Sequence, residues 1–187
     1  MQDIRSIVRC CMAGDSAAVV ALVNRYTDTV FGLCYRMLGQ RQDAEDMTQE
    51  TFVRALRSLK RWYATREFRP WLLAIAGNRC RTLLAKRRRR PELHHLPDSV
   101  PDRSPDLQAA RHLAEEVDRA LLMLREEHRM AFCLFHEQQL SYEEIGDVLG
   151  CPLGTVKTWV RRARCGVVDE LLRRGVIEET RHAMRRA

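Results

Sequence analysis

Between Arg57 and Trp71 the chain interleaves cations with rings: Arg57, Lys60, Arg61, Trp62, Tyr63, Arg66, Phe68, Arg69 and Trp71. Rings stack on unpaired bases at roughly 1–3 kcal/mol per base, while neighbouring guanidiniums follow the phosphates. Trp71 reads as core, whereas Trp62 and Tyr63, where a helix gives way to a loop, fit either core or a stacking platform. A second cationic stretch, Arg79, Arg81 and the unbroken run Lys86 to Arg90, is either a phosphate-binding stripe or a solvated helix end. A third lies further on, where no acid occurs from Gly154 to Val168 and Thr155, Lys157, Thr158, Arg161, Arg162 and Arg164 are all donors. Donors of this kind suit duplex DNA, where one bidentate Arg–guanine contact discriminates by about 1–3 kcal/mol.

Helices must position all three. Apolar residues recur at spacings of three, four and seven from Val19 to Met37, with Gly39 a plausible stop, and again through Ala44–Leu59 and Leu72–Leu83. No sustained alternation or Asn-Gly hairpin signal predicts a strand. The third cationic set follows the most explicit local signal in the chain. Ser141 with Glu144 forms a capping box, Gly150 can end that helix in the left-handed conformation, and Pro152 forbids its continuation. A new helix then starts near Gly154 with Val156 and Val160 inward, which is a helix-turn-helix whose second helix enters a major groove. An ordinary helical hairpin with a solvated basic face is the plainer alternative.

Four of the six prolines (Pro91, Pro97, Pro101, Pro105) separate the two halves. The expected fold is therefore all-α, with a helical domain at residues 1–90, a flexible linker at 91–109 and a helix-turn-helix domain at 110–187. Extended at about 3 Å per residue, some sixteen linker residues reach roughly 45–50 Å, far enough for the two domains to sit apart on one partner. Charge divides the same way. Residues 1–90 carry 18 Lys/Arg against 8 Asp/Glu, whereas residues 110–187 carry 13 of each. A positive field of that kind attracts a polyanion.

Composition excludes several classes. The longest apolar run, Ala17 to Val23, is far short of the roughly 20 residues a spanning helix needs, and its flanks do not suit a secretory leader. Neither membrane insertion nor export is expected. Seven cysteines without a CxxC pair suggest reduced thiols in a cytoplasm. Cys133 with His136, the pair His94 and His95, and the neighbours Cys10 and Cys11 make no closed ligand set. Neither a glycine-rich phosphate loop nor a nucleophile grouping is present. No metal, cofactor or catalytic residue is expected.

With those motifs in place, the chain resembles the two-domain extracytoplasmic-function (ECF) sigma factors of bacterial RNA polymerase over about residues 15–90 and 110–174. Residues 43–52 (DAEDMTQETF) resemble the family's helix that docks on the clamp coiled coil of polymerase β′, and residues 68–79 (FRPWLLAIAGNR) resemble its minus-ten recognition segment. Residues 124–129, 140–145, 154–157 and 162–164 match the second domain. The resemblance implies that Asp43, Glu45, Asp46, Gln49 and Glu50 contact core polymerase. It implies that Arg61, Trp62, Tyr63, Asn78 and Arg79 hold the melted minus-ten strand, and that Thr155, Lys157, Thr158, Arg161, Arg162 and Arg164 read the minus-thirty-five element as duplex. It also implies promoter-directed transcription initiation without catalysis, a bacterial cytoplasmic location and an anti-sigma factor as partner. Thr82, Ala74, Gly77, Trp159 and Val160 depart from common family residues, which bears on the promoter sequence and not on the fold.

The rival reading is a helix-turn-helix regulator that acts on duplex DNA without joining polymerase. It leaves an acidic helix at 43–50 beside a basic aromatic loop without a purpose. A nucleic-acid enzyme is a distant third.

Overall fold

The computed structural model describes residues 3–62, 67–89 and 105–178, with side chains of the last segment from residue 112 onward. Tyr63 and most of the proline-rich linker fall outside the described residues, as does the tail from 179. No strand occurs among the described residues, and none of their helices is long and apolar enough to cross a membrane.

The first half packs α1 (Ile4–Met12), α2 (Ser16–Leu38), α3 (Arg41–Ser58) and α4 (Phe68–Arg89), with a short 3-10 turn at Leu59–Arg61. At the start of α2 the Asp15 carboxylate accepts the Ala17 and Ala18 amides, filling two of the orphan donors of a helix N-terminus. Leu22, Tyr26, Val30, Leu33 and Met37 then form the buried stripe. A narrower stripe of Ala44, Thr48, Thr51 and Ala55 lets α3 pack closely. The two buried hydroxyls donate to the carbonyls of Ala44 and Met47, one turn back, so burying them leaves no polar group unmatched.

The turn between α2 and α3 requires a left-handed residue. Gly39 has φ of 72° and its amide donates to the Tyr35 carbonyl; a Cβ there would also meet Leu122 Cδ1 at 2.6 Å. Gly39→Ala is therefore expected to lower the unfolding free energy by about 1–2 kcal/mol, read from the denaturant midpoint. An unchanged midpoint would show that the turn does not depend on this conformation.

The second half contains α5 (Pro105–Met123), α6 (Glu126–Phe132), a five-residue π-helical turn (Cys133–Glu137), α7 (Tyr142–Leu149) and α8 (Leu153–Arg173). The linker was expected to run to residue 109, yet α5 begins at Pro105. Proline suits a first helical turn, whose amides have no intrahelical acceptor in any case. The expected capping box forms in full: Glu144 N–H donates to Ser141 Oγ at 3.2 Å and Ser141 N–H to Glu144 Oε2 at 2.8 Å. Val156, Val160, Ala163, Val167 and Leu171 make the buried face of α8.

The two halves do not sit apart. They share one continuous apolar core. Gly77 of α4 lies against Met130 of α6, where a Cβ would come within 2.8 Å of Met130 Cε. Arg129, only 6% exposed, donates through Nη1 to the Met37 carbonyl at 2.6 Å and through Nη2 to the carbonyls of Leu122 and Leu124 at 2.9 and 3.1 Å. Arg36 of α2 pairs with Asp118 and, at 3.1 Å, with Glu137. Arg69 reaches the Gln138 carbonyl and side-chain amide oxygen. The wider π turn, closed by Gln138 N–H on the Cys133 carbonyl, and the left-handed Gln139 (φ 52°) shape the segment that meets the first half.

Candidate nucleic-acid and protein interfaces

Three surfaces carry the residues singled out from the sequence. The first is the outer side of α3. Glu45, Asp46 and Gln49 are exposed there, and Glu45 pairs within its own helix with Arg41 Nε at 2.8 Å, a solvated pair of small energy. Asp43 and Glu50, expected in the same set, are held inside the chain. Asp43 pairs with Arg87 of α4, and Glu50 pairs with Arg79 of α4 and Arg54 of its own helix. The acidic patch open to a partner is thus narrower than the motif suggests. It is not part of the protein's own core.

The second surface is the groove between α3 and α4, lined by Glu50, Arg54, Arg57, Arg61, Asn78 and Arg79. Arg61 and Asn78 are exposed. The Asn78 Oδ1 accepts from Arg81 Nη2 at 2.6 Å, and the Thr82 hydroxyl donates to the Asn78 carbonyl at 2.8 Å. Partial burial pushes the Glu50 carboxyl up, but hydrogen bonds from Arg79 and Arg54 outweigh it and hold the group below the usual carboxylate range.

Trp62 corrects the expectation of a stacking platform. It is 9% exposed and meets Phe68 edge-on at 5.4 Å, while Phe68 also contacts Tyr26 and Trp71, each at 5.3 Å. The ring is part of the apolar core of the first half and does not lie open on the surface as a stacking platform would. The cationic run at the end of α4 is likewise partly structural: Arg87 clasps Asp43, and Arg88 reaches Glu126 at 3.2 Å.

The third surface is α8 of the helix-turn-helix. Lys157, Thr158, Arg161, Arg162 and Arg164 are exposed, and Thr155 is half-buried. The turn before α8 is made by Gly150 at φ 65°, whose amide bonds the Gly146 carbonyl. Lys157 Nζ lies 5.8 Å from the Tyr142 ring centroid, a cation–π contact that steadies the side chain near the start of α8. Two histidines that sequence reasoning did not select stand behind this face. Burial pushes the His128 imidazole down, and the nearby Arg162 and Arg125 add to it. Burial does the same at His136, helped by Arg164. The sequence weighed His136 only beside Cys133 and gave no sign that either histidine stands behind α8, because they lie on α6 and the π turn and meet α8 through packing.

No cluster of three His, Cys, Asp or Glu suited to a metal ion occurs among the described residues. All seven cysteines are free thiols, and burial pushes the core thiol of Cys133 up beyond the range in which it could react as a thiolate.

Comparison with known proteins agrees with this geometry. Sigma-70 region 2 matches residues 22–90 and Sigma-70, region 4 matches residues 114–164. ECF RNA polymerase sigma factor SigW of Bacillus subtilis is 31% identical over 86% of this chain and 92% of its own length. SigE of Mycolicibacterium smegmatis, also an ECF sigma factor, is 39% identical over 84% of this chain, which spans 64% of that relative's length. Among solved structures, the sigma factor RpoE of Bartonella quintana, crystallised with the anti-sigma factor NepR, shares the fold. Its TM-score is 0.66 at 24% identity, over 81% of this chain and 93% of its own.

Proposed function

Because the chain belongs to the ECF RNA polymerase sigma factors, we propose that it joins core polymerase through the exposed acidic face of α3 and selects promoters with two separate DNA-reading surfaces. Arg61, Asn78 and Arg79, with Tyr63, which follows Trp62 in the sequence, hold the melted minus-ten strand. Thr155, Lys157, Thr158, Arg161, Arg162 and Arg164 read the minus-thirty-five duplex. The carrying observation is that one helix, α3, presents Glu45, Asp46 and Gln49 outward and turns Arg54 and Arg57 into the groove beside Asn78. A regulator that touched only duplex DNA would need neither the acidic face nor a groove lined for an unpaired strand. The reaction belongs to polymerase, and this chain supplies recognition. On the same family reading, an anti-sigma factor is the expected inhibitory partner, and the location is the bacterial cytoplasm.

Distance adds a requirement. The two promoter elements are centred about 25 base pairs apart by their names, roughly 85 Å at about 3.4 Å per step. A compact chain of this length has a radius of gyration of about 16 Å. The closed packing of the two halves therefore cannot serve both elements at once, and they separate when the promoter is engaged. A tether of the length read from the sequence supplies much of that span.

The test is transcription with reconstituted core polymerase on a library of candidate promoters. Core with this chain is expected to start from a promoter that core alone ignores. If every promoter stays silent while the chain alone binds duplex tightly, the regulator reading replaces this one.

A further inference from the structure

A series of rings runs from the π turn to α8. Tyr142, the first residue of α7, follows the Ser141 cap, and the capping box with Glu144 fixes the backbone there. Its ring lies nearly parallel to that of Phe135, with centroids 4.7 Å apart and an interplanar angle of 10°. Phe135 meets the His136 ring edge-on at 5.0 Å, and His136 lies 4.5 Å from Phe132. Phe135 and His136 belong to the π turn, so its wider bonding sets where the stack begins. Lys157 Nζ closes the series, 5.8 Å from the Tyr142 centroid.

Lys157 differs from most cations of the chain in type and in partner. Three lysines (Lys60, Lys86 and Lys157) stand among 32 Lys and Arg, and Lys157 is the first charged residue of α8. Arg54, Arg79 and Arg87 are each held by a carboxylate, whereas Lys157 is in no ion pair among the described residues. A ring attracts an ammonium without neutralising it, so no anion has to leave before a phosphate or a base acceptor arrives. The neighbouring Thr158 hydroxyl donates to the Gly154 carbonyl at 2.8 Å, and its proton is not offered outward. A lysine stem is long and flexible. Ordering it at an interface costs affinity unless the side chain is already held.

We propose that Tyr142 is a positioning residue for duplex recognition: stacked on Phe135, it holds the Lys157 ammonium in place and fully charged before the duplex arrives. Its role is carried by the ring face and not by the phenol hydroxyl. This rests on the reading of α8 as the duplex-reading helix.

The probe is a fluorescent duplex enriched by the unmodified full chain from a randomised pool. Tyr142→Leu is expected to weaken its binding about 2–5-fold, the worth of a cation–π contact at an exposed site. Lys157→Gln weakens it at least as much, and adding Tyr142→Leu to that variant costs nothing further. Tyr142→Phe keeps the ring and is expected to keep the affinity. An equal loss from Tyr142→Leu with and without Lys157 would mean that the tyrosine merely supports the packing of α7, and it overturns the proposal. So does a Tyr142→Phe variant as weak as Tyr142→Leu, which would give the role to the hydroxyl. A spectroscopic arm uses the unmodified chain with labelled lysine, whose three residues are resolved by NMR. The Lys157 ε-methylene signal, identified by its loss in Lys157→Gln, is expected upfield of its ordinary position because of the Tyr142 ring current. An undisplaced signal also overturns the proposal. Failure of the α8 reading looks different: Lys157→Gln then binds as the unmodified chain does while the displaced signal persists, and the proposal falls with that reading.

Discussion

Reversing charge at Glu45 and Asp46 together (Glu45→Lys with Asp46→Lys) lowers the affinity for core polymerase by at least about 100-fold, the effect of losing roughly 3 kcal/mol or more from charge pairs that become desolvated in a complex. Both side chains are exposed on α3, and neither holds the fold together. Among the described residues Glu45 pairs with Arg41 on its own helix, so its reversal costs the isolated chain about 0.5 kcal/mol. Pull-down of core by the variant measures the loss. Duplex binding through α8 should be unchanged, because those donors lie on the other half of the chain. Undiminished core binding would mean that this acidic face is merely solvated and that polymerase docks elsewhere. Asp43 and Glu50 are poorer choices for this experiment, since reversing either also breaks an ion pair to α4.

Arg129→Met is expected to destabilise the protein by about 2–4 kcal/mol, because three carbonyls, one buried and two part-buried, lose a charged donor. That of Leu122 belongs to the last turn of α5 and that of Leu124 to the turn that follows, while that of Met37 belongs to the end of α2. One side chain thus ties the α5–α6 junction of the second half to the last turn of α2 in the first. Methionine keeps similar length and apolar volume, so the measured loss reports hydrogen bonding and not a cavity. Denaturant unfolding gives the energy, and small-angle scattering gives the separation of the halves. The variant is expected to have a larger radius of gyration than the unmodified chain. An unchanged midpoint together with an unchanged radius would show that the contact carries no weight in holding the closed form.

Local chemistry made much of the architecture legible in advance. The Ser141–Glu144 capping box, the left-handed Gly39 and Gly150, and the buried stripe of α8 all follow from residues within one or two turns of each other. A helix period or a cap is written at spacings of two to four residues, and such signals survive whatever the rest of the chain does. α1 and the π turn carried weaker signals. The first is a short helix whose buried residues are only Ile7 and Val8, and a π turn differs from an α turn by one residue in its hydrogen bonding.

The candidate site was legible as a set of residue types but not as a set of partners. From sequence alone Asp43 and Glu50 are as open as Asp46, and Trp62 is as fit to stack on a base as to fill a core.

The order of chemistry along the chain, the all-α class, the helix-turn-helix and the resemblance to a sigma factor were determined by the sequence itself, through periodicity, capping and motif spacing. Only the tertiary structure decided that Arg79 meets Glu50 across 29 positions, that Arg87 meets Asp43 across 44, and that Arg129 reaches Met37 across 92. The physical reason is that a helix specifies which of its faces is polar but not which neighbour's charges will lie opposite. That depends on how the apolar stripes settle against one another, and the same settling buried Trp62 and closed the two halves into one core.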